Sequence, residues 1–249
     1  MISVVIPTYN RADDLFNCLT SLVNQTFKSF EVIVIDDGST DGTSEVCKQF
    51  SSDLSLKYIL LPQCSGGPAL PRNIGISNSS FNWIAFLDSD DIWSINKLQK
   101  VVDEIKMNPD LQLIYHRFNG IEIKFIPKPN MLLDQLFRKG NFIVNSSVVV
   151  TKSILKELNG FDTNSELISA EDYDMWIRIA LKTDRFKYID EGLGTYTYTL
   201  DSISLNYGRK LTNFLFLFKK HKYIYLGNIC YLSVYLKRLF KYLLLYIIK

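Results

Sequence analysis

The sequence predicts an α/β chain, a mostly parallel central sheet with flanking helices, on the strength of two observations. Its opening run, Ile2 to Pro7, is almost continuously apolar and rich in β-branched residues, as in a strand buried on both faces. The unit that this run begins, strand then polar loop then helix, recurs through the first 110 residues. Such alternation implies right-handed crossovers and places functional loops at the carboxyl ends of the strands.

Taken in order, a polar turn from Thr8 to Asp14 leads to Leu15, Leu19, Leu22 and Val23 at helical spacing, ending near Gln25. A second buried strand, Glu31 to Ile35, runs into Asp36-Asp37-Gly38-Ser39-Thr40-Asp41-Gly42. Thr43 to Phe50 reads as a helix and Leu56 to Leu61 as a strand. After a Gly-Gly-Pro loop, Pro71 suits the first turn of a helix through Ser77, since a proline there forfeits only an N–H that has no helical partner. Trp83 to Leu87 is the fourth strand, followed by a helix from about Ser94 to Met107. Beyond it the pattern loosens into strand-like runs at Leu111 to His116, Ile121 to Ile126 and Ser146 to Thr151, so this half reads as mixed. Helical spacing returns from Ala170 to Leu181, with Met175, Ile179 and Ala180 turned to a core.

At 249 residues, 47% hydrophobic and 22% charged, the chain is globular and long enough to bury a full core. Its net charge of +2 hides an asymmetry: Leu205 to Lys249 holds nine Lys or Arg and no Asp or Glu, whereas the preceding 204 residues carry 19 basic against 26 acidic side chains. We therefore expect an acidic body over 1–204 with a basic, aromatic, amphipathic helical tail over 205–249. The longest uncharged run of the tail, Tyr223 to Leu236, is 14 residues, against about 20 needed to span a bilayer core. With Lys237, Arg238 and Lys241 on one side and Leu239, Phe240, Leu243 and Leu244 available for another, the tail suits an interfacial helix on anionic lipid. A helix packed on the core is the alternative. Four cysteines without a Cys-x-x-Cys pair or zinc-like spacing, and an opening strand without a leader, point to a cytoplasmic setting.

Three carboxylates in four residues, Asp88-Ser89-Asp90-Asp91, follow an apolar strand and would repel one another if bare; magnesium or manganese, which prefer hard oxygen ligands, would relieve them. A solvated turn, with Asp91 capping the following helix, explains the same residues. The Asp36 to Gly42 loop leaves a neighbouring strand and would converge on the same crevice. The chain has neither a P-loop nor a G-x-G-x-x-G fingerprint, so phosphate binding falls to metal-bearing acids and to Arg72, unless Arg72 serves only an ion pair. In Ala170-Glu171-Asp172-Tyr173-Asp174, acids at a helix start either complement its dipole or supply a general base. His116 and His221 lie outside these motifs and read as packing or surface residues.

Ser3-Val4-Val5-Ile6-Pro7-Thr8-Tyr9-Asn10-Arg11, Ile35-Asp36-Asp37-Gly38-Ser39-Thr40-Asp41-Gly42-Thr43, Pro71-Arg72-Asn73-Ile74-Gly75, Phe86-Leu87-Asp88-Ser89-Asp90-Asp91-Ile92-Trp93, and Gly160-Phe161-Asp162 with Glu171-Asp172-Tyr173-Asp174, taken together over Ile2 to Leu181, resemble the family 2 glycosyltransferases of bacterial O-antigen and capsular polysaccharide synthesis. The resemblance implies a GT-A fold, Rossmann-like with a mostly parallel sheet, whose body divides into a nucleotide-binding half (1–110) and an acceptor and catalytic half (111–204), and inverting transfer of a sugar from a nucleoside-diphosphate donor, UDP foremost, to an acceptor hydroxyl. It implies that Pro7, Thr8, Tyr9 and Asp37 hold the base. Arg72 would lie near the nucleotide, Asp88 with Ser89 near the ribose, and Asp90 would ligate Mn2+ or Mg2+ in the Asp-x-Asp motif. Asp172 would be the general base, with Glu171 shaping the acceptor side.

In Tyr196 to Ser204 the chain departs from the pattern: many similar enzymes carry an Arg and a His where Thr197 and Thr199 stand. The expected partners are the donor, a lipid-linked saccharide acceptor and an anionic membrane surface, with no nucleic acid. The expected location is the inner face of a bacterial inner membrane. A nucleotidyltransferase would begin with a Gly-rich phosphate loop, and Pro7 to Arg11 holds no glycine. A catalytically silent nucleotide-sugar binding protein would lose the base, and Glu171-Asp172 is intact.

Overall fold

A computed structural model of the chain describes residues 1–123, 125–196 and 207–247. The strands β1 (Ile2–Thr8), β2 (Phe30–Asp36), β3 (Leu56–Leu60) and β4 (Trp83–Phe86) lie parallel in the order β3-β2-β1-β4. They are linked by helices α1 (Ala12–Val23), α2 (Thr43–Gln49) and α3 (Ala69–Asn78). The sheet continues past β4 through β7 (Val149–Thr151), β6 (Leu113–Asn119), β8 (Phe186–Thr195) and β5 (Ile92–Trp93). In this half β7 is antiparallel to both neighbours, β8 parallel to β6, and β5 antiparallel to β8. The order predicted from the sequence, a parallel half followed by a mixed half, is the order observed.

Burial on both faces explains the unbroken apolar run of β1. Ile2, Val4 and Ile6 enter one core cluster with Leu15, Leu19 and Leu22 of α1. Val5 points the other way, into a second cluster with Ile76 of α3, Phe86, and Trp176 of α7 (Glu171–Lys182). Gly75 lets α3 lie against the sheet, because a Cβ there would stand 2.3 Å from Val5 Cγ1. Pro71 occupies the first turn of α3, as expected.

The helix expected from Ser94 is α4 (Lys97–Met107), and Asn96 is its N-cap residue. The intervening residues form β5, so Asp91 does not cap that helix; it is buried and accepts a hydrogen bond from Ser146 Oγ instead. The run Ile121 to Ile126, read as a strand from its alternating apolar residues, is not one at its described positions. It follows Gly120, whose φ of +89° turns the chain away from the sheet after β6. Helices α5 (Leu132–Lys139) and α6 (Lys152–Glu157) complete the body.

The tail forms α8 (Tyr207–Leu226), kinked at His221, and α9 (Ile229–Ile247), neither long and apolar enough to cross a membrane. Phe214, Leu217, Tyr225 and Tyr235 are buried in the same cluster as Val5 and Trp176, so the hairpin packs on the body. The partition expected on α9 changes accordingly. Arg238 turns inward and donates to the Arg138 carbonyl, and Leu239 packs on the core. Leu236, Lys237, Phe240, Lys241, Leu243 and Leu244 are exposed. Thr197, Thr199 and the boundary expected between 204 and 205 lie outside the described residues.

Candidate active site

Strand register gathers the motifs. Thr8 pairs with Asp36 across β1 and β2, and Val5 with Phe86 across β1 and β4, so three loops leave the same sheet edge side by side. Strand order turns back at β1, the switch point where open α/β sheets bind ligands. An open cleft of about 780 Å³ lies there, lined by Pro7, Thr8, Tyr9, Asp37, Arg72, Asp88, Ser89, Asp90, Glu171 and Asp172, so every residue singled out from the sequence meets in one place.

On one side the Asp37 N–H donates to the Thr8 carbonyl, at 2.8 Å, and the Asp37 carboxylate accepts from the Ser65 N–H and the Ser65 hydroxyl, both at 2.9 Å. The Cys64 thiol stands 3.4 Å from Asp37 Oδ2. The neighbouring acids do other work. Asp36 accepts from Tyr58 and from the Ser39 N–H, and Asp41 from the Ala12 N–H at the start of α1 and from Thr43 at the start of α2. Gly38, at φ +86°, gives the loop a conformation that side chains rarely adopt.

Arg72 is buried between two acids, Nη2 at 2.7 Å from Asp88 Oδ1 and Nη1 at 2.6 Å from Glu171 Oε1. Burial opposes its charge, but the two carboxylates outweigh it and raise its pKa. Asp88 is fixed further by Asn145 Nδ2, at 3.1 Å, while its N–H donates to Ser146 Oγ. Asp90 is anchored less firmly, 3.5 Å from Arg11 Nη1. Burial and the Asp88 carboxylate push Asp90 up to about 6, against the pull of Arg11. Two hard oxygen donors that repel each other suit a divalent cation that takes the rest of its shell from phosphate and water. No group of three or more His, Cys, Asp or Glu side chains placed to hold a metal stands together among the described residues, so Asp88 and Asp90 would supply at most part of such a shell.

Opposite, at the N-terminus of α7, Glu171 is buried against Arg72. It lines the cleft and there balances the charge of Arg72. Asp172 is half-buried in the cleft wall, its Oδ2 accepting from Asn141 Nδ2 at 3.0 Å and its Oδ1 from the Tyr173 N–H at 2.6 Å. Burial and then the Glu171 charge push Asp172 up to about 7.

The cleft also contains residues that sequence reasoning did not single out: Arg11, Cys64, Asn141, Phe142, Asn145 and Tyr196. Asn145 and its neighbour Ser146 precede β7, and because β7 runs antiparallel to β4 its leading end lies beside the trailing end of β4. Only the strand direction would have revealed them. His116 and His221 are both buried away from the cleft; burial and Lys97 push His116 down to about 3.

Residues 3–157 match the family described as Glycosyl transferase family 2. The chain belongs to the family 2 glycosyltransferases. An uncharacterised glycosyltransferase of Rickettsia conorii is 34% identical over 188 residues, 73% of this chain and 30% of that protein. This chain thus spans less than a third of that relative. The Escherichia coli protein WfgD, named UDP-Glc:alpha-D-GlcNAc-diphosphoundecaprenol beta-1,3-glucosyltransferase, is 30% identical over 83% of this chain and 79% of its own length. Among solved structures, a Staphylococcus aureus TarS fragment in complex with UDP superposes with a TM-score of 0.68 at 25% identity, over 86% of this chain and 64% of that one. The Pyrobaculum calidifontis mannosyltransferase PcManGT, in complex with GDP-Man and Mn2+, shares the fold at a TM-score of 0.67 and 19% identity, over 95% and 73% of the two chains. The architecture of this family 2 member is the GT-A fold that its motifs implied.

Proposed function

We propose that this family 2 member moves a sugar, with inversion, from a nucleoside-diphosphate donor, UDP foremost, to a hydroxyl of a lipid-linked saccharide in cell-surface polysaccharide synthesis. The observation that carries the reading is the single cleft onto which Asp37, Arg72, Asp90 and Asp172 converge from four separate segments. Asp37 accepts the ring N–H of the base, with Pro7, Thr8 and Tyr9 beside it. The Thr8 hydroxyl is buried without a hydrogen-bond partner among the described residues, which suits a polar contact to the nucleoside. Arg72 holds Asp88 toward the ribose, with Ser89 next to it. Mn2+ or Mg2+, held by Asp90 with Asp88 beside it, would neutralise the charge that grows on the leaving diphosphate. Asp172 takes the proton of the attacking hydroxyl, and Asn141 fixes the oxygen that faces it.

The name of WfgD and the UDP bound in the TarS structure support a UDP-sugar donor, and the name of WfgD an acceptor carried on a lipid diphosphate. A panel of UDP-, dTDP- and GDP-sugars with manganese or magnesium, read by released nucleoside diphosphate with and without saccharide acceptor, tests the reading. Metal-dependent donor binding without turnover across the panel would leave a silent binding protein instead.

The setting we propose is an anionic membrane surface facing the cytoplasm, met by the exposed side of α9. Leu236, Phe240 and Leu243 adjoin Lys237 and Lys241 there, an apolar band next to a basic one. Deleting the tail would strip buried aromatics from the core, so the useful variant is Phe240→Ser with Lys237→Glu and Lys241→Glu. It should lose binding to vesicles containing phosphatidylglycerol while keeping donor hydrolysis; undiminished vesicle binding rules the setting out.

A further inference from the structure

Asp172 lies on α7, and what holds α7 in place is the tail. Two residues beyond the proposed base, Asp174 faces the opposite way and is fully buried. Its carboxylate accepts from Arg178 Nε at 2.7 Å, Lys220 Nζ at 2.9 Å and His221 Nε2 at 2.9 Å. Two of these three donors belong to α8, and the kink in that helix falls on His221 itself, whose φ of −106° and ψ of 19° are non-helical. Lys220 Nζ reaches Asp162 as well, at 2.6 Å.

About two turns earlier, α8 grips the other end of the catalytic segment. Asn213, also buried, donates from Nδ2 to the Ile168 carbonyl at 2.9 Å and lies 3.3 Å from Ser169 Oγ. Ser169 lines the cleft and holds φ at +69°, a left-handed conformation that costs a non-glycine residue energy and persists only where its surroundings hold it. It is followed by Ala170, the N-cap residue of α7, and then by Glu171 and Asp172.

The connection continues to the donor side. Arg178, bonded to Asp174, donates to the Leu158 and Gly160 carbonyls at 2.9 and 3.0 Å. Phe161, next in the chain, exchanges two hydrogen bonds with the Asn73 side chain, and Asn73 adjoins Arg72. Gly160 allows this approach, since a Cβ there would fall 2.3 Å from Asn73 Oδ1. Buried charge held in one arrangement by several donors is rigid, and rigidity of the supporting residues is what catalytic geometry requires.

We infer that α8 acts as a splint for the catalytic helix, with Asn213, Lys220 and His221 as positioning residues that set the orientation of Asp172 toward the acceptor hydroxyl. The inference rests on Asp172 being the base. Misplacement of a reacting group by about 1 Å costs on the order of 10²-fold in rate, so releasing α7 from its splint should lower turnover more than it lowers donor binding.

The test uses the full chain. Lys220→Met with His221→Phe keeps the stems and removes both donors to Asp174; Asn213→Ala releases the Ser169 end and serves where the double variant does not fold. Turnover at saturating donor and acceptor, UDP affinity by calorimetry and melting temperature are measured together. The splint predicts a loss of roughly ten-fold or more in kcat with UDP affinity retained. It also predicts recovery in Lys220→Arg with His221→Asn, which restore donors to Asp174. A folded variant whose kcat stays within about two-fold of the parent overturns the inference, whatever happens to its melting temperature or UDP affinity. Asp172→Asn, run alongside, keeps the two readings apart. If it retains turnover, the base assignment fails; if it is inactive while the α8 variants turn over normally, only the splint fails.

Discussion

Replacing Asp172 with asparagine tests the proposed chemistry most directly, because the side chain keeps its shape and loses its ability to take a proton. General-base assistance is worth typically 10²- to 10⁴-fold, so kcat should fall by that factor, about 3–5 kcal/mol of transition-state stabilisation. The structure adds a pH signature. Burial and Glu171 push Asp172 up to about 7, and only the ionised form acts as base. The active fraction should therefore rise with pH across the neutral range. An ordinary carboxylate, near 3.9, would give a flat profile over that range. The side chain of Asn141 donates to the ionised form, so Asn141→Ala should move the acidic limb to higher pH. Removing the Glu171 charge with Glu171→Gln should move it to lower pH, with a separate loss of donor affinity because Arg72 is then unbalanced. The assay is nucleoside diphosphate release on kcat from pH 5 to 9, with donor saturating so that the carboxylates on its side are already engaged. A limb centred near pH 4, or an Asp172→Asn variant within about three-fold of the parent, refutes the reasoning.

Cys64 reports on the nucleotide side: its thiol lies beside Asp37, so saturating UDP should shield it from iodoacetamide, while exposed Cys230 reacts equally with and without UDP; an unchanged Cys64 rate by mass spectrometry contradicts the base site. Arg72→Lys cannot span Asp88 and Glu171 and leaves buried charge uncompensated, so we expect a loss of about 3–5 kcal/mol in urea unfolding together with weaker UDP binding by calorimetry. Gly75→Ala forces a methyl group onto Val5 and should cost about 1–3 kcal/mol, read as a lower urea midpoint at unchanged slope. Asp174 is held near 2 because His221, Arg178 and Lys220 outweigh its burial. A carboxylate depressed on folding stabilises the protein above its unfolded pKa and loses that contribution as pH falls through the folded one. The stability gap between the parent and Asp174→Asn should therefore be about 2 kcal/mol or more at pH 7 and should close between about pH 4 and pH 2, as measured by urea unfolding at each pH.

The parallel half of the fold was legible because its signals are local. A strand buried on both faces reads as an unbroken apolar run whatever surrounds it, and β1, β2 and β4 all do so. The loops after such strands must share one edge, so Thr8, Asp37 and Asp88 could be grouped without coordinates. The second half was less legible because its strands are short and its pairing is non-local. β7 is three residues long, and its direction is set by β4 and β6. With that direction unknown, Asn145 and Ser146 gave no reason to be placed beside Asp88. Ile121 to Ile126 shows the reverse error, alternation of the right period that, at its described positions, pairs with no neighbouring strand.

The acids show where residue type stops carrying information. Asp36 and Asp37 are adjacent and identical, yet the period of two along β2 sends Asp36 to Tyr58 and the Ser39 N–H and Asp37 to the cleft. Asp88, Asp90 and Asp91 divide in the same way, one tied to Arg72, one beside Arg11 and one buried under Ser146. On α7, Asp172 and Asp174 lie two positions apart and so face different sides of the helix. The first, buried and beside Glu171, is pushed up to about 7, and the second, held by three donors that outweigh its burial, down to about 2. A helix dipole would favour both equally as negative charges at an N-terminus. Their opposite shifts come from what each side of α7 packs against, the cleft for Asp172 and α8 for Asp174. The placement of α7 therefore rests on the tail, a segment that charge and composition alone had set apart from the body.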